Sequence, residues 1–424
     1  MKDFKKHILP NGLRVVLVSQ PKSLAATALV LVEAGSKYEE KRINGVSHFL
    51  EHLCFKGTKK RPTALDITAE LESLGALYNA FTGHESTGYY AKVRKEKLGV
   101  AMDIIADIYA NPVFDAKEIE KEKGVVIEEL NMYEDMPMRK APDLFMELLY
   151  GDQPAGRDVG GTKEAIRAMS RKDIVDYRSR HYVAQATTVV IVGSFDEKKI
   201  FADVKKLFGH IPTDRKFPKA RTIEKQSAPK VLLRHKDSDQ THIVLGFRAF
   251  DMFDRRRFAL DVLGDILGGG MSSRLFQKVR EELGAAYYVR AGADLFTDHG
   301  FFAVSAGLDN RRAREVLGAI IGELRNISAR KVSAEELGRA KSHLTGTMMI
   351  GLESSDELAG FYGNQELFRK EILLPKDIVK KIEAVTAEDI LKVAKEIMNP
   401  KNLNLALIGP YKDKKEFEKI LASF

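Results

Sequence analysis

Two histidines flank a glutamate in the pentapeptide HFLEH, residues 48–52. On an α-helix, positions i, i+3 and i+4 share one face, so His48, Glu51 and His52 project together. Two imidazoles one turn apart can bind a single zinc ion, and a nearby carboxylate that is not a ligand can accept a proton from the water that the ion activates. A histidine on an amphipathic helix is more often an ordinary surface or core residue, so the pentapeptide indicates half of a hydrolase site that still needs a third ligand.

A candidate third ligand lies in the segment FDAKEIEKEKGVVIEELNMYEDM, residues 114–136, whose apolar residues recur at helical spacing. Glu122 and Glu129 are separated by two helical turns, so both carboxylates face the same side of the predicted helix. Taken alone, such a pair is more typical of a solvated acidic face than of a ligand set. Together with HFLEH, it completes a possible zinc site.

The composition restricts the ligands that such a site can use. The chain has 424 residues, of which 44% are hydrophobic and 30% charged, as is usual for a globular protein of two to four domains. Its single cysteine, Cys54, excludes an intramolecular disulfide framework and a cysteine-based zinc knuckle. Zinc ligands in this chain must therefore be histidine or carboxylate side chains.

Charge and apolar patterning argue against nucleic-acid and membrane partners. The formal net charge is +8, but 68 lysines and arginines are interspersed with 60 acidic residues. The basic clusters at 59–61 and 255–257 are short, so we interpret them as solvated surface, with nucleic-acid binding as the minority interpretation. Pro10, Asn11 and Gly12 interrupt the first apolar run, and no uninterrupted run reaches the roughly 18 residues of a membrane span. We expect a cytoplasmic protein.

Part of the sequence occurs twice. Residues 168–195 align without gaps with residues 384–411, so the two copies are displaced by about half the length of the chain. Each copy has a Ser or Thr cap, a helix, a short break, a strand and a glycine turn. We therefore predict two homologous domains, residues 1–209 and 231–424, joined by a polar, proline-bearing linker at 210–230.

Within each half, strands with hairpin-like spacing alternate with helices of ten or more residues. This pattern predicts an α+β fold in which each half forms a mixed, mostly antiparallel sheet with helices packed on one face. When the two halves are aligned, Val262 and Ile266 stand where the first half has His48 and His52. Loss of both imidazoles from one copy is less expected of a merely structural helix face, so it favours a functional role in the other copy.

These motifs together resemble the M16 family of inverzincin peptidases, which includes pitrilysin, insulin-degrading enzyme and the mitochondrial processing peptidase. The resemblance rests on HFLEHLCFKGT at 48–58 and on the later glutamate pair, Glu122 and Glu129. It extends to LGALYNAFTGHESTGYY at 74–90, to LGGGMSSRLFQKVREELGAAYYV at 267–289 and to the repeated units, so it spans the chain. The length is similar to that of the short bacterial branch, which implies a LuxS/MPP-like metallohydrolase fold.

The resemblance implies roles for residues of the first half. His48, His52 and Glu129 match the family's zinc ligands, with one Zn²⁺ per chain, and Glu51 matches its general base. Glu122 matches a carboxylate behind the site that orients a ligand histidine through its ring N–H.

The resemblance also implies contacts with an extended peptide substrate. Four residues match the edge strand that pairs with the substrate backbone: Asn79, Ala80, Phe81 and Thr82. Arg280 and Tyr287 match a catalytic pair of the second half that approaches the scissile bond, with Tyr287 as a candidate oxyanion donor. Judged by residue type alone, the strand is an ordinary sheet strand and Tyr287 an ordinary half-buried aromatic residue.

The resulting expectation is a zinc endopeptidase that hydrolyses short or unfolded peptides in a closed chamber, which a second copy of the chain completes in a homodimer. The alternative is a non-catalytic core or scaffold subunit of the same fold, although the intact ligand set and Glu51 speak against it. A basic nucleic-acid binder is a third possibility that rests on net charge alone.

Overall fold

The structure, a computed structural model, describes residues 4–369, 371–422 and 424. The strands are β1 Lys5–Ile8, β2 Arg14–Ser19, β3 Ala25–Val32, β4 Leu77–Thr82, β5 Thr87–Arg94, β6 Thr187–Gly193, β7 Lys230–His235, β8 Gln240–Ala249, β9 Ala286–Leu295, β10 Gly300–Asp309 and β11 Leu403–Gly409. The helices of the first half are α1 Val46–Cys54, α2 Ala64–Ser73, α3 Leu98–Ala110, α4 Ala116–Glu134, α5 Pro137–Tyr150, α6 Lys163–Ala168, α7 Arg171–His181 and α8 Glu197–Phe208. Those of the second half are α9 Arg257–Gly268, α10 Ala313–Ala329, α11 Ala334–Gly351, α12 Ser355–Phe368, α13 Pro375–Glu383, α14 Ala387–Ile397 and α15 Lys415–Ala422.

Six strands of the first half form one sheet in the order β1-β2-β6-β3-β5-β4. β2 and β6 are parallel, whereas the other neighbouring pairs are antiparallel. The central strands β3 and β6 are nearly continuous runs of buried residues, as expected where both faces of a sheet are covered. β4 lies at one edge, where one side of a strand's backbone can pair with another chain.

The second half repeats this arrangement. Its five strands have the order β7-β11-β8-β10-β9, which corresponds to β2-β6-β3-β5-β4, and β7 pairs with β11 in parallel as β2 does with β6. The helices α7 and α14 both begin after capping boxes, at Ser170 and Thr386, which are the positions that the sequence repeat pairs with each other. The prediction of an α+β fold built from two homologous, mostly antiparallel halves is confirmed.

The chain forms two compact units that do not coincide with its two sequence halves. The first unit contains the described parts of residues 1–131, 158–220 and 349–374, and the second those of residues 132–157, 221–348 and 375–424. Each half therefore contributes one segment, carrying α5 or α12, to the unit built around the other half's sheet. The predicted domains, residues 1–209 and 231–424, describe the two halves along the sequence and stay a prediction. The compact units differ from these halves because the segments that carry α5 and α12 are exchanged.

The exchanged helices explain why both faces of each sheet are buried. In the first unit, helices of the first half cover one face, and α12 covers the opposite face through Leu358 and Tyr362. In the second unit, α5 packs Leu144, Phe145 and Leu149 onto the sheet, while α9, α10 and α14 contact its strands as well. Burial of apolar surface, worth roughly 25 cal/mol per Å², holds each exchanged helix in place.

Among the described residues, no helix combines the length and the apolar character that a membrane span requires.

Candidate metal centre

The helix α1 carries the HFLEH pentapeptide and is fixed by its apolar face. Val46, Phe49, Leu50 and Leu53 are at most 2% exposed and belong to the core of the first unit. Because these residues recur at helical spacing, they direct the opposite face of α1 away from the core. His48 and His52 lie on that opposite face and keep 14% and 21% of their side chains exposed.

Glu39 anchors the N-terminus of the ligand helix. Its carboxylate is 3% exposed and accepts hydrogen bonds from the backbone N–H groups of Gly45 at 2.7 Å and Ser47 at 2.8 Å. The Asn44 side-chain amide donates a third bond at 2.9 Å. A carboxylate at this end of a helix also complements the helix dipole. Burial nevertheless raises the pKa of Glu39, although its hydrogen bonds oppose this shift.

Two glycines allow the start of α1 to approach a neighbouring turn. Gly45 has φ +93°, and a Cβ there would lie 2.6 Å from the Gly160 carbonyl oxygen. Gly161 has φ +78°, and its Cβ would lie 2.2 Å from the Asn44 carbonyl oxygen. Side chains at these two positions would both strain the backbone and push the ligand helix away.

The helix α4 brings the third candidate ligand to the two histidines. Glu129 Oε2 lies 3.6 Å from His48 Nε2 and 3.3 Å from His52 Nε2. Within the described part of the chain, these three residues form the group of histidine and carboxylate side chains whose ligand atoms all lie within 4.8 Å of one another. The structure thus brings together two imidazoles and a carboxylate that lie far apart in the sequence.

The spacing of these atoms fits one zinc ion. A tetrahedral ion with bonds of about 2.0–2.1 Å places its ligand atoms about 3.3 Å apart. The two nitrogen–oxygen distances of 3.3 and 3.6 Å match that value without movement of the backbone. Imidazole nitrogen and carboxylate oxygen are also ligands that zinc accepts. Since three of the described residues converge, a fourth coordination position would remain open.

Glu122 lies behind His52 and fixes its ring. Its side chain is 2% exposed, with Oε1 2.9 Å from His52 Nδ1 and Oε2 2.7 Å from Lys56 Nζ. An ionised carboxylate only accepts hydrogen bonds, so His52 Nδ1 must donate, which leaves Nε2 directed at Glu129 as the ligand atom. Burial would raise the pKa of Glu122, but the bonds from His52 and Lys56 outweigh it and lower the pKa.

The two histidines differ in protonation. Burial lowers the pKa of His52, but hydrogen bonds to Glu122 and Glu129 outweigh it and raise the pKa to about 9. For His48, burial and the neighbouring His52 dominate, and its pKa is lowered. The buried Nδ1 of His48 has no hydrogen-bond partner among the described residues. One imidazole is therefore oriented by a carboxylate and the other by packing.

Glu51 lies next to the ligand set and is held by the edge strand. The Thr82 hydroxyl, at the end of β4, donates a 2.5 Å hydrogen bond to Glu51 Oε2. Burial raises the pKa of Glu51, opposed by this hydrogen bond and by His52. A carboxylate with a raised pKa beside a metal site has the properties of a general base.

The predicted substrate strand is β4, which lies at the edge of the first sheet. Asn79 and Phe81 point away from the core and are exposed, whereas Ala80 is buried. Phe81 lies over Gly88 of the paired strand, where a Cβ would come within 2.4 Å of its ring. The edge position is as expected, and pairing of substrate with Asn79, Ala80, Phe81 and Thr82 stays a prediction.

Arg280 and Tyr287 belong to the second unit. Arg280 lies in a π-helical turn, Phe276–Glu282, with its guanidinium 4.9 Å from the centre of the Phe276 ring. Tyr287 lies in β9, at the edge of the second sheet, and is 71% exposed. Its side chain is therefore not the half-buried aromatic that residue type alone suggested. The predicted approach of both residues to a scissile bond stays a prediction.

Arginines of the two basic clusters, residues 59–61 and 255–257, form ion pairs with nearby carboxylates. Arg61 is buried and forms ion pairs with Glu70, Asp103 and Asp107. In the second cluster, Arg256 pairs with Asp254 at 2.7 Å. This local neutralisation gives no support to a dedicated phosphate-binding surface.

Comparison with known families shows the family to which this chain belongs. The family model described as Insulinase (Peptidase family M16) matches residues 14–163, and the model described as Peptidase M16 inactive domain matches residues 168–344. The chain belongs to the M16 peptidase family. The first match contains the ligand helix, and the second contains Val262 and Ile266, which are buried hydrocarbon side chains.

Individual M16 relatives extend over almost the whole chain. An uncharacterized zinc protease of Streptomyces coelicolor is 35% identical over 97% of this chain and 90% of its own length. An uncharacterized zinc protease of Bacillus subtilis is 33% identical over 96% of this chain and 98% of its own length. The crystal structure of a protease from Helicobacter pylori has a TM-score of 0.90 at 24% identity, covering 96% of this chain and 99% of that one, which confirms the fold.

Three contributors to the candidate metal centre were not identified from the sequence. Glu39 and Lys56 act through hydrogen bonds to groups that no local pattern pairs with them. Thr82 was predicted only as part of a substrate strand, and its bond to Glu51 depends on how α1 packs beside β4.

Proposed function

We propose that this M16 chain is a zinc-dependent endopeptidase that cleaves short or unfolded peptides bound in extended form. The observation that carries the proposal is the convergence of one oxygen of Glu129 with Nε2 of His48 and His52, at 3.6 and 3.3 Å. The names of the two curated relatives, both zinc proteases, agree with it.

Each residue of the site has a separate role in the proposed mechanism. One zinc ion per chain, held by His48, His52 and Glu129, would supply a Lewis acid that lowers the pKa of a water ligand towards about 7. Glu51 accepts the proton from the attacking water and passes it to the leaving amine. The Thr82 hydroxyl holds Glu51 Oε2, which leaves Oε1 as the oxygen for proton transfer. Glu122 keeps the proton of His52 on Nδ1.

Substrate binding is proposed to extend the first sheet. An extended peptide that pairs with Asn79–Thr82 of β4 gains main-chain hydrogen bonds with little demand on its sequence. Such pairing requires an unpaired backbone, which favours short or unfolded peptides over folded proteins. Arg280 and the exposed Tyr287 are proposed to approach the scissile bond from the second unit, with the Tyr287 hydroxyl as an oxyanion donor.

A homodimer that encloses the site in a chamber, and a cytoplasmic location, are also part of the proposal. They rest on the family resemblance and on the absence of an apolar span among the described helices. Mass photometry at nanomolar to micromolar protein tests the dimer, because a self-complementary interface makes the dimer fraction rise with concentration.

The test of the proposed activity is cleavage of a quenched, unstructured peptide by the zinc-loaded protein. Glu51→Gln should lower kcat/KM by about 10²–10⁴-fold, as expected for removal of a general base. It should leave zinc affinity nearly unchanged because Glu51 is not a ligand. Glu128→Gln is the matched control, since Glu128 is an exposed neighbour of Glu129 on α4. A chelator should abolish activity, and added zinc should restore it.

The second candidate function is a non-catalytic core subunit of the same fold. One equivalent of tightly bound zinc without cleavage of any member of a broad peptide library would favour it. Full activity in Glu51→Gln would contradict the proposed chemistry directly.

A further inference from the structure

The second unit contains a cavity that occupies the place of the metal centre in the duplicated fold. The alignment of the two halves that pairs His48 with Val262 also pairs Glu51 with Asp265. Asp265 lies on α9 and His343 on α11, which correspond to the ligand helices α1 and α4. The structure brings the Asp265 and His343 side chains together, with Oδ1 of the former 2.7 Å from Nδ1 of the latter.

The pair is part of a defined hollow. A cavity of about 310 Å³ is lined by Asp265, His343, Ser273, Glu336 and Arg339, together with the Gly270 turn. Its volume reaches the lower end of the range for small-molecule sites. A Cβ on Gly270 would lie 3.7 Å from His343 Nε2, so the missing side chain leaves room beside that nitrogen.

The carboxylates of this cavity already have basic partners. Asp265 is 8% exposed and pairs with His343. Glu336 accepts two hydrogen bonds from Arg274 at 2.6 and 2.8 Å. Each acidic group therefore has a hydrogen-bond donor from the protein.

The remaining polar groups are hydrogen-bond donors. Ser273 is 5% exposed and lines the cavity, and its hydroxyl has no partner among the described residues. An unsatisfied buried hydroxyl costs stability, so the Ser273 hydroxyl is available to complete its hydrogen bonding with a ligand in the cavity. Arg339 has one carboxylate nearby, Glu335 at 3.6 Å, which is 88% exposed and binds weakly in water.

We propose that this cavity binds a carboxylate, namely the C-terminal carboxylate of a peptide. The Ser273 hydroxyl and the Arg339 guanidinium donate to its oxygens, and the His343 ring lies against it. A carboxylate accepts such bonds in a bidentate manner, and charge-assisted bonds are the stronger kind. The identity of the ligand as a peptide rests on the proposed function, whereas the existence of the site does not.

The experiment measures binding without catalysis. The chain contains no tryptophan, so the fluorescence anisotropy of a short tryptophan-containing peptide reports binding without interference from the protein. Two probes are compared on the metal-free Glu51→Gln protein: an N-acetylated peptide with a free C-terminal carboxylate and the same peptide with a C-terminal amide. The free acid should bind about tenfold more tightly, since a charge-assisted hydrogen bond to the cavity is lost in the amide.

Three substitutions test whether the preference for the free-acid peptide arises in the cavity. Ser273→Ala, Arg339→Gln and His343→Gln should each reduce it towards equal binding of the two probes. Ser273→Ala should fold at least as stably as the parent because it removes an unsatisfied hydroxyl. His235→Gln is the matched control: His235 is 46% exposed and lies 3.6 Å from Asp237 in the same unit, outside the cavity.

Three outcomes overturn the proposal: equal binding of acid and amide, binding of neither probe, or a preference that survives all three cavity substitutions. Displacement by inorganic phosphate at lower concentration than by acetate would identify a phosphate site instead. Failure of peptide cleavage would leave these binding results intact, so the two proposals can fail separately.

Discussion

Replacement of Glu122 by glutamine should weaken zinc binding although Glu122 is not a ligand. Its carboxylate bridges His52 Nδ1 at 2.9 Å and Lys56 Nζ at 2.7 Å with a side chain that is 2% exposed. In Glu122→Gln, the amide group has one acceptor oxygen for two donors. If that oxygen faces His52, the NH₂ group meets the Lys56 ammonium; if it faces Lys56, the NH₂ group favours the His52 tautomer with its proton on Nε2.

The first orientation keeps the zinc-binding tautomer of His52 but is opposed by the Lys56 ammonium, and the second favours the tautomer that cannot bind zinc through Nε2. Loss of a carboxylate that orients a ligand histidine typically costs 10–100-fold in metal affinity, which is about 1.4–2.7 kcal/mol. Competition with a chromophoric zinc chelator at fixed pH measures this change. The matched control is Glu120→Gln, because Glu120 lies on the same helix, is 70% exposed and pairs with Lys123 at the surface.

A second substitution separates orientation of the histidine from loss of charge. Lys56→Met in the Glu122→Gln background removes the unmatched ammonium group but leaves the amide beside His52. Stability should recover in this double variant, and zinc affinity should recover in part, because the amide oxygen can then face His52 Nδ1 without bringing its NH₂ group against an ammonium group. Zinc affinity in Glu122→Gln equal to that of the parent, with the fold intact, would refute the reasoning that Glu122 fixes the tautomer.

Three further predictions follow from individual side chains. Zinc binding at pH 7 should release about one proton, because His52 has a pKa of about 9 and must bind zinc as the neutral ring. Calorimetry in two buffers of different ionisation enthalpy measures the number of protons released. Zero release would contradict this prediction. Cys54 is fully buried, and burial raises its pKa to about 11. A thiol reagent should therefore modify Cys54 only after denaturation. Stoichiometric reaction of the native protein within minutes would be the contrary result. Burial and Arg180 lower the pKa of His181 to about 4, so its contribution to stability is present above about pH 6.5 and is lost as pH falls. Between pH 7 and 5 the loss should be about 2 kcal/mol, and the free energy of unfolding of His181→Gln should depend less on pH by that amount.

The parts of the fold and of the site that depend on helical periodicity or on the sequence repeat can be predicted from the sequence. The helical spacing of His48 with His52, and of Glu122 with Glu129, placed each pair on one face, and the structure brings the faces together. The sequence repeat likewise predicted the paired units α7–β6 and α14–β11. These features are local or repeated, so one chain contains enough information for them.

Other features depend on long-range packing that no local pattern encodes. The amphipathic face of α5 predicts burial, but it does not say which of two similar sheets will cover it, and α5 lies on the sheet of the other half. In the sequence, Glu39 is one more charged residue in a polar stretch, yet its carboxylate fixes the start of the ligand helix. The bond between Thr82 and Glu51 similarly requires the position of β4 beside α1.

Zinc K-edge X-ray absorption on protein loaded with one equivalent of zinc, compared with the same measurement on Glu129→Ala, tests the proposed ligand set. The proposed metal centre predicts nitrogen and oxygen ligands at about 2.0–2.1 Å, scattering from two imidazole rings and no sulfur ligand near about 2.3 Å. In Glu129→Ala, one oxygen ligand should be replaced or lost and zinc affinity should fall. A spectrum without histidine scattering, or one that Glu129→Ala leaves unchanged, would contradict the proposed metal centre.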